Sequence, residues 1–158
     1  MAMTCYLRIE GIEGSAYVEG REGCMEIVKI EHSLHIPTDR KSGTISGARV
    51  HSPFIVTKNI DKASSTLHEY LCKAKVIPKA VIEWYQPHPD GFDELYYTHT
   101  LENARVVGLT TILPDVDDPD TEDYKHREKV AFQYEKITWL VKDGNIEASD
   151  SWKERKTG

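Results

Sequence analysis

Along this chain hydrophobic and polar positions alternate mostly with a period of two, and a period near 3.6 dominates one segment. A first strand is predicted over 5–9, where Cys5, Leu7 and Ile9 share one face; Gly11 and Gly14 break it. A second is predicted over 24–36. Here Val28, Ile30, Leu34 and Ile36 fall on one face and Lys29, Glu31 and Ser33 on the other, the mark of a half-buried strand. Asp39, Arg40, Lys41, Ser42, Gly43, Thr44, Ile45, Ser46 and Gly47 follow. This polar stretch, broken by glycines, reads as a long loop or extended hairpin. Residues 54–57 make a short strand.

The helical period covers 63–75, where Ala63, Leu67, Tyr70, Leu71 and Ala74 form a stripe. Ser64 is a candidate N-cap, or Thr66 and Glu69 a capping box, and Pro78 lies just beyond the end. Alternation returns over 80–85, with Ala80, Ile82 and Trp84 opposite Val81, Glu83 and Tyr85. After a turn at Pro87, Pro89, Asp90 and Gly91, strands are predicted over 95–101, 105–113 and 129–141. The turn Asp143-Gly144-Asn145 then leads into a hairpin partner over 146–148. Many short strands with a single helix predict a mainly β fold, a β-barrel or rolled pair of antiparallel sheets with one flanking α-helix. The sequence carries no repeat and no long linker, so one domain over 1–158 is expected.

Composition narrows the function classes. A chain of 158 residues can bury a core without staples. Twenty Lys and Arg against 26 Asp and Glu give a net charge of −6, which argues against nucleic acid as main partner. No apolar run approaches the ~18 residues that span a bilayer, so membrane insertion is not expected. The N-terminal residues lack a basic region followed by an apolar stretch, so any export is expected without a standard signal peptide. Cys5, Cys24 and Cys72 form no C-x-x-C pair and are expected as free thiols of a reducing cytosol.

Candidate chemistry is sparse. No Gly-x-Gly-x-x-Gly, P-loop, Gly-x-Ser-x-Gly or His-Glu-x-x-His motif occurs. His32 and His35 are three apart on a predicted strand, so they point to opposite faces and cannot easily share a metal. His68 and Cys72 stand at helical spacing with no second ligand pair in view. The acidic run 115–123, with Asp117, Asp118, Asp120 and Glu122, lacks the glycine and closing glutamate of an EF-hand and reads as a solvated loop. The mixed-charge run 153–156 reads as a solvated tail. Trp84, Trp139 and Trp152 read as packing residues before sugar platforms. Neither enzyme activity nor a cofactor is expected.

Several blocks, in order, resemble the haemolysin-coregulated protein (Hcp) family. They are Tyr-Leu-Arg-Ile-Glu-Gly-Ile-Glu-Gly over 6–14 and His-Ser-Pro-Phe-Ile-Val-Thr-Lys-Asn-Ile-Asp-Lys-Ala-Ser over 51–64. Tyr-Tyr-Thr-His-Thr-Leu-Glu-Asn-Ala-Arg-Val-Val over 96–107 and Val-Ala-Phe-Gln-Tyr-Glu-Lys-Ile-Thr-Trp over 130–139 follow, then Asp-Ser-Trp over 150–152. The chain departs from the family's pattern at Ser65, where a proline is common, and at His126-Arg127-Glu128. The stretch 15–23 matches only loosely.

The resemblance implies a β-barrel with a helix on its flank, six copies to a ring, and rings stacked into the hollow inner tube of type VI secretion. It implies partners as well: further copies of the chain, a spike protein at the tip, contractile sheath proteins and small effectors in the lumen. It places the protein in the bacterial cytoplasm during assembly and then outside the cell or in a target cell. On this reading the loop 39–47 reaches a neighbouring subunit, because its length exceeds what a turn between two strands needs. The polar helix positions Ser65, Glu69 and Lys73 face the lumen or a neighbour. The other readings are a phage-type tail-tube protein, a monomeric β-barrel binding a small ligand or carbohydrate, and a secreted enzyme with an appended toxin domain. Gly158 follows Trp152 by six positions, so no appended domain is expected.

Overall fold

The computed structural model describes residues 3–122 and 124–152. Its strands are β1 (Cys5–Ile9), β2 (Met25–Glu31), β3 (Leu34–His35), β4 (Val50–His51), β5 (Phe54–Asn59), β6 (Ile77–Pro87), β7 (Asp93–Ile112), β8 (Arg127–Gln133), β9 (Lys136–Val141) and β10 (Ile146–Ser151). One helix, α1 (Ser64–Cys72), lies between β5 and β6. The antiparallel order β7-β6-β1-β2-β5-β8 closes on itself through the β7–β8 pairing, which makes a six-stranded barrel. β9 and β10 continue the sheet outside it. Closure leaves the barrel strands without free edges.

The 20-residue β7 organises this arrangement. Residues 105–112 pair with β8 and 97–102 with β9, so β8 and β9 run in line along one side of β7. β8 also pairs with β5 to close the barrel, whereas β9 leaves to pair with β10. The line therefore breaks at Tyr134 and Glu135, opposite a bend in β7 where Asn103 takes φ 50°. Asn103 Nδ2 donates to Glu135 Oε2 at 3.1 Å and Glu135 N to Glu102 O at 3.0 Å, pinning the two bends together.

The barrel interior is filled. Leu7, Met25, Phe54, Val56, Ala80, Ile82, Leu101, Val130 and Phe132 are fully buried. α1 packs on β7 and seats Leu67 and the preceding Ala63 over the core. Tyr6, on the other face of β1, is covered by Arg21, whose guanidinium stacks 3.7 Å from the Tyr85 ring centroid. Gly14 lies so close to Cys24 that a Cβ there would sit 2.4 Å from its carbonyl oxygen. Cys5, Cys24 and Cys72 are all unpaired.

The structure departs from the sequence pattern in four places. The predicted strand 24–36 is two strands, and a bulge between Ile27 and Lys29 shifts its register. Met25 and Ile27 therefore face the core, Ile30 packs against it as expected, and Val28, Leu34 and Ile36 are exposed. The strands predicted over 95–101 and 105–113 are the one long β7, and 129–141 is two strands. α1 starts after Ala63 without a side-chain cap. The Ser64 hydroxyl instead accepts from Asp61 N and donates to Glu128, and Glu69 pairs with Lys73 and Lys75 rather than closing a box with Thr66. The helix ends where Ala74 takes φ 49° and Lys75 N donates to Tyr70 O.

Candidate functional site

Between β3 and β4 the chain projects from the barrel as a two-stranded arm. Thr38 and Ile45 form an antiparallel bridge, Asp39 N donates to Thr44 O at 2.7 Å, and Ser46 N donates to Pro37 O at 2.9 Å. Gly43 closes the tip at φ 73°, a region glycine enters without strain. Asp39, Arg40, Lys41, Ser42, Thr44, Ile45, Ser46 and Gly47 are exposed along with it, and Ile45 keeps 66% of its surface open. These hydrogen bonds lie within the arm, which makes it an extended hairpin rather than an irregular loop.

The arm's base is fastened by a cluster of polar groups, with His51 and Tyr134 buried and Arg49, Asp150 and His32 half-buried. Arg49 donates to the Asp150 carboxylate, and its Nη2 donates to Ser151 O at 2.8 Å. His51 places Nε2 2.6 Å from Asp150 Oδ2 and Nδ1 2.5 Å from the Tyr134 hydroxyl. The same hydroxyl lies 2.9 Å from His32 Nε2. Trp152 packs on His51 with ring centroids 4.8 Å apart, and His32 packs on Phe54 at 4.9 Å. Close by, His99 Nδ1 accepts from Trp84 Nε1 at 2.9 Å.

Electrostatics follows from this burial. Desolvation, helped by His51, pushes the His32 imidazole down to about 4. Desolvation, helped by His32, does the same to His99, also to about 4. The Tyr134 phenol is pushed up by burial and by the charge of Asp150. Burial alone would raise Asp150, but hydrogen bonds from Arg49 and His51 outweigh it and hold the carboxyl below its usual range.

A second buried cluster fixes the start of α1. Lys58, fully buried, places Nζ 2.5 Å from Glu128 Oε1 and 2.8 Å from Asp61 Oδ1, and it donates to Asn59 O at 3.1 Å. Ser64 completes the set through Glu128 at 2.7 Å. Three acceptors thus satisfy one ammonium.

The predicted helix positions Ser65, Glu69 and Lys73 are exposed, and Glu69 is bridged by Lys73 at 2.9 Å. They lie on a different element from the arm. His32 turns partly inward and His35 outward. His68 Nδ1 bonds Ser64 O at 2.8 Å. Among the described residues no three His, Cys, Asp or Glu side chains are placed to hold a metal, and no helix is long and apolar enough to cross a membrane. Asp115 and Asp118 side chains cap turns within the acidic stretch, while Asp123 and the tail 153–156 lie outside the described residues. Trp84 and Trp139 pack against the core, whereas Trp152 stays 41% exposed.

Sequence reasoning passed over the two buried clusters. Their members are far apart in the chain, His51 and Tyr134 by 83 positions and Lys58 and Glu128 by 70, so no local spacing announces them.

The comparisons with known proteins agree with this architecture. The sequence matches the family described as type VI secretion system effector, Hcp, over residues 6–141. It is 36% identical over 140 residues to the major exported protein of Pseudomonas aeruginosa PAO1, covering 89% of this chain and 81% of that protein. It is similar to a double mutant of Hcp1 from the E. coli EAEC 042 pathovar, with TM-score 0.83 and 37% identity over 96% of this chain and 99% of the other. The secreted protein Hcp3 from Pseudomonas aeruginosa gives TM-score 0.78 and 29% identity over 97% and 100%. This chain belongs to the Hcp family, the structural tube proteins of type VI secretion.

Proposed function

We propose that six copies of this chain close into a ring, and that rings stack into the hollow inner tube of a type VI secretion apparatus. Family membership over residues 6–141 carries this reading. The projecting arm supports it: Ile36, Ile45 and Val50 are exposed on this hairpin, an apolar surface that a neighbouring copy would cover. A ring uses one head-to-tail contact repeated until it closes. In this assembly the segment 39–47 reaches a neighbour in the same ring or the next, and Ser65, Glu69 and Lys73 face the lumen or an adjacent surface. The tube meets a spike protein at its tip and contractile sheath proteins around it, and small effectors ride in the lumen. It is built in the bacterial cytoplasm and then leaves the cell.

The filled barrel interior speaks against a ligand-binding barrel, since side chains occupy the space such a ligand would need. Native mass spectrometry tests the proposal. A species of six times 18.0 kDa, seen as rings by electron microscopy, is expected. A monomer or dimer at micromolar concentration under all salt conditions overturns it.

A further inference from the structure

The hydrogen bonds at the arm's base run in one direction. A carboxylate at Asp150 only accepts, so His51 Nε2 carries a proton and donates to it at 2.6 Å. When His51 is neutral its Nδ1 is bare and accepts from the Tyr134 hydroxyl at 2.5 Å. Having given its only proton, Tyr134 oxygen accepts from His32 Nε2 at 2.9 Å. The tautomers of both histidines are thereby set by a chain that begins at one carboxylate. That carboxyl is held below its usual range, which keeps the start of the chain fixed.

We propose that this chain is a proton-operated latch on the arm: one proton taken up at His51 reverses the direction of the bonds and loosens the arm's attachment to the barrel. The charge balance is simple. A solvent proton binds His51 Nδ1 and makes an imidazolium, stabilised by the Asp150 carboxylate and opposed by the Arg49 guanidinium on that same carboxylate. Nδ1–H now donates to Tyr134, so the hydroxyl proton must turn towards His32. His32 can receive it only by moving its own proton from Nε2 to Nδ1; otherwise the hydroxyl is left without an acceptor in a buried site, which costs stability.

The groups that face the latch are few. His51 meets Asp150 of β10, Arg49 beside it, the Tyr134 hydroxyl between β8 and β9, the Trp152 ring and, through Tyr134, His32. His32 meets Tyr134, Phe54 of β5 and, 6.3 Å away, the His99 ring of β7. Burial opposes a proton on His32 or His99, and of the three rings His51 is the one bonded to the Asp150 carboxylate. The arm beyond is exposed and held by its own bonds, so what happens at Arg49 and His51 governs how firmly it is directed.

The inference concerns one chain and does not depend on ring formation. Hydrogen-exchange mass spectrometry on the full chain tests it, with rates corrected for the intrinsic effect of pH. Protection of peptides covering 33–52 is expected to fall at least tenfold between pH 8 and pH 5, while β1 and β6 stay protected. The step should have the same midpoint at two protein concentrations tenfold apart. In Tyr134→Phe, which keeps the ring but cuts the chain, protection should be low at both pH values. Asp150→Asn, which keeps an acceptor but removes the charge, should move the step to lower pH. Constant protection in the natural chain, a step that shifts with concentration, a Tyr134→Phe protein that keeps the step, or an Asp150→Asn step that stays put would each overturn the latch.

Discussion

Lys58 holds a positive charge where no side-chain surface remains open, and its partner Glu128 is 1% exposed. Taking such a pair out of water costs several kcal/mol per ion, which mutual attraction repays only when every donor finds an acceptor. Here Glu128, Asp61 and the Asn59 carbonyl supply three. Removing one partner leaves the other buried and uncompensated. Lys58→Met is therefore expected to lower unfolding free energy by ~3–5 kcal/mol in urea titrations, whereas Lys58→Met with Glu128→Leu recovers most of the loss. A single variant as stable as the natural chain would show that the charge is not what holds the start of α1.

The histidines make a separate statement about pH. His32 and His99 ionise at about 4 in the folded chain, against 6.5 for the free group. As pH falls below 6.5 the unfolded chain takes up these protons first, so unfolding gains and stability drops until pH approaches 4. Above 6.5 their effect is constant. Each histidine contributes a slope of about 1.4 kcal/mol per pH unit inside that window. Carboxylates stay ionised down to about pH 5, so the range 6.5 to 5 isolates the histidines. Denaturation midpoints should fall steadily there and level off above pH 7. A midpoint flat from pH 7 to 5 would contradict the buried, neutral state of both rings.

Among elements, the arm is expected to serve assembly rather than folding. Its 38–48 backbone is exposed and its bonds are internal, so the barrel gains little from it. Deleting 41–46 is expected to weaken assembly, read as a loss of the high-mass species, and to leave the urea midpoint close to that of the natural chain at a dilution where both are monomers. Rings and tubes that form as before would give the arm some other purpose. The arm was legible in the sequence because its polarity and glycines interrupt an otherwise regular alternation. β1 and β6 were legible for the opposite reason, since Leu7, Ala80 and Ile82 keep strict period-two positions on the core face. β2 was misjudged because a bulge adds one residue between Ile27 and Lys29, so Met25 and Ile27 before it reach the core on the opposite parity to Ile30 beyond it. The break at Tyr134 and Glu135 carries no glycine or proline; it is imposed by β5 and β10 competing for one line of chain. The latch was illegible because its acid, its two bases and its hydroxyl meet only after the barrel closes.

For the molecule as a whole, a closed six-stranded barrel has no edge left to pair, so edge pairing between copies is left to the strands outside it, β3, β4 and β10. If six copies share one repeated contact, unfolding is coupled to dissociation and stability depends on concentration. Six subunits leaving one particle make each tenfold rise in concentration worth about 1.1 kcal/mol per subunit, by mass action. For a chain of this length, 1 kcal/mol moves the melting temperature by about 2–4 °C. Calorimetry across a hundredfold concentration range should therefore show the transition climbing by roughly 5–9 °C. In the chain lacking 41–46 the climb should shrink or vanish, because its transition reports the barrel alone. A melting temperature independent of concentration in the natural chain would mean that the barrel already carries all the stability the protein has, and that any ring is held too weakly to build a tube.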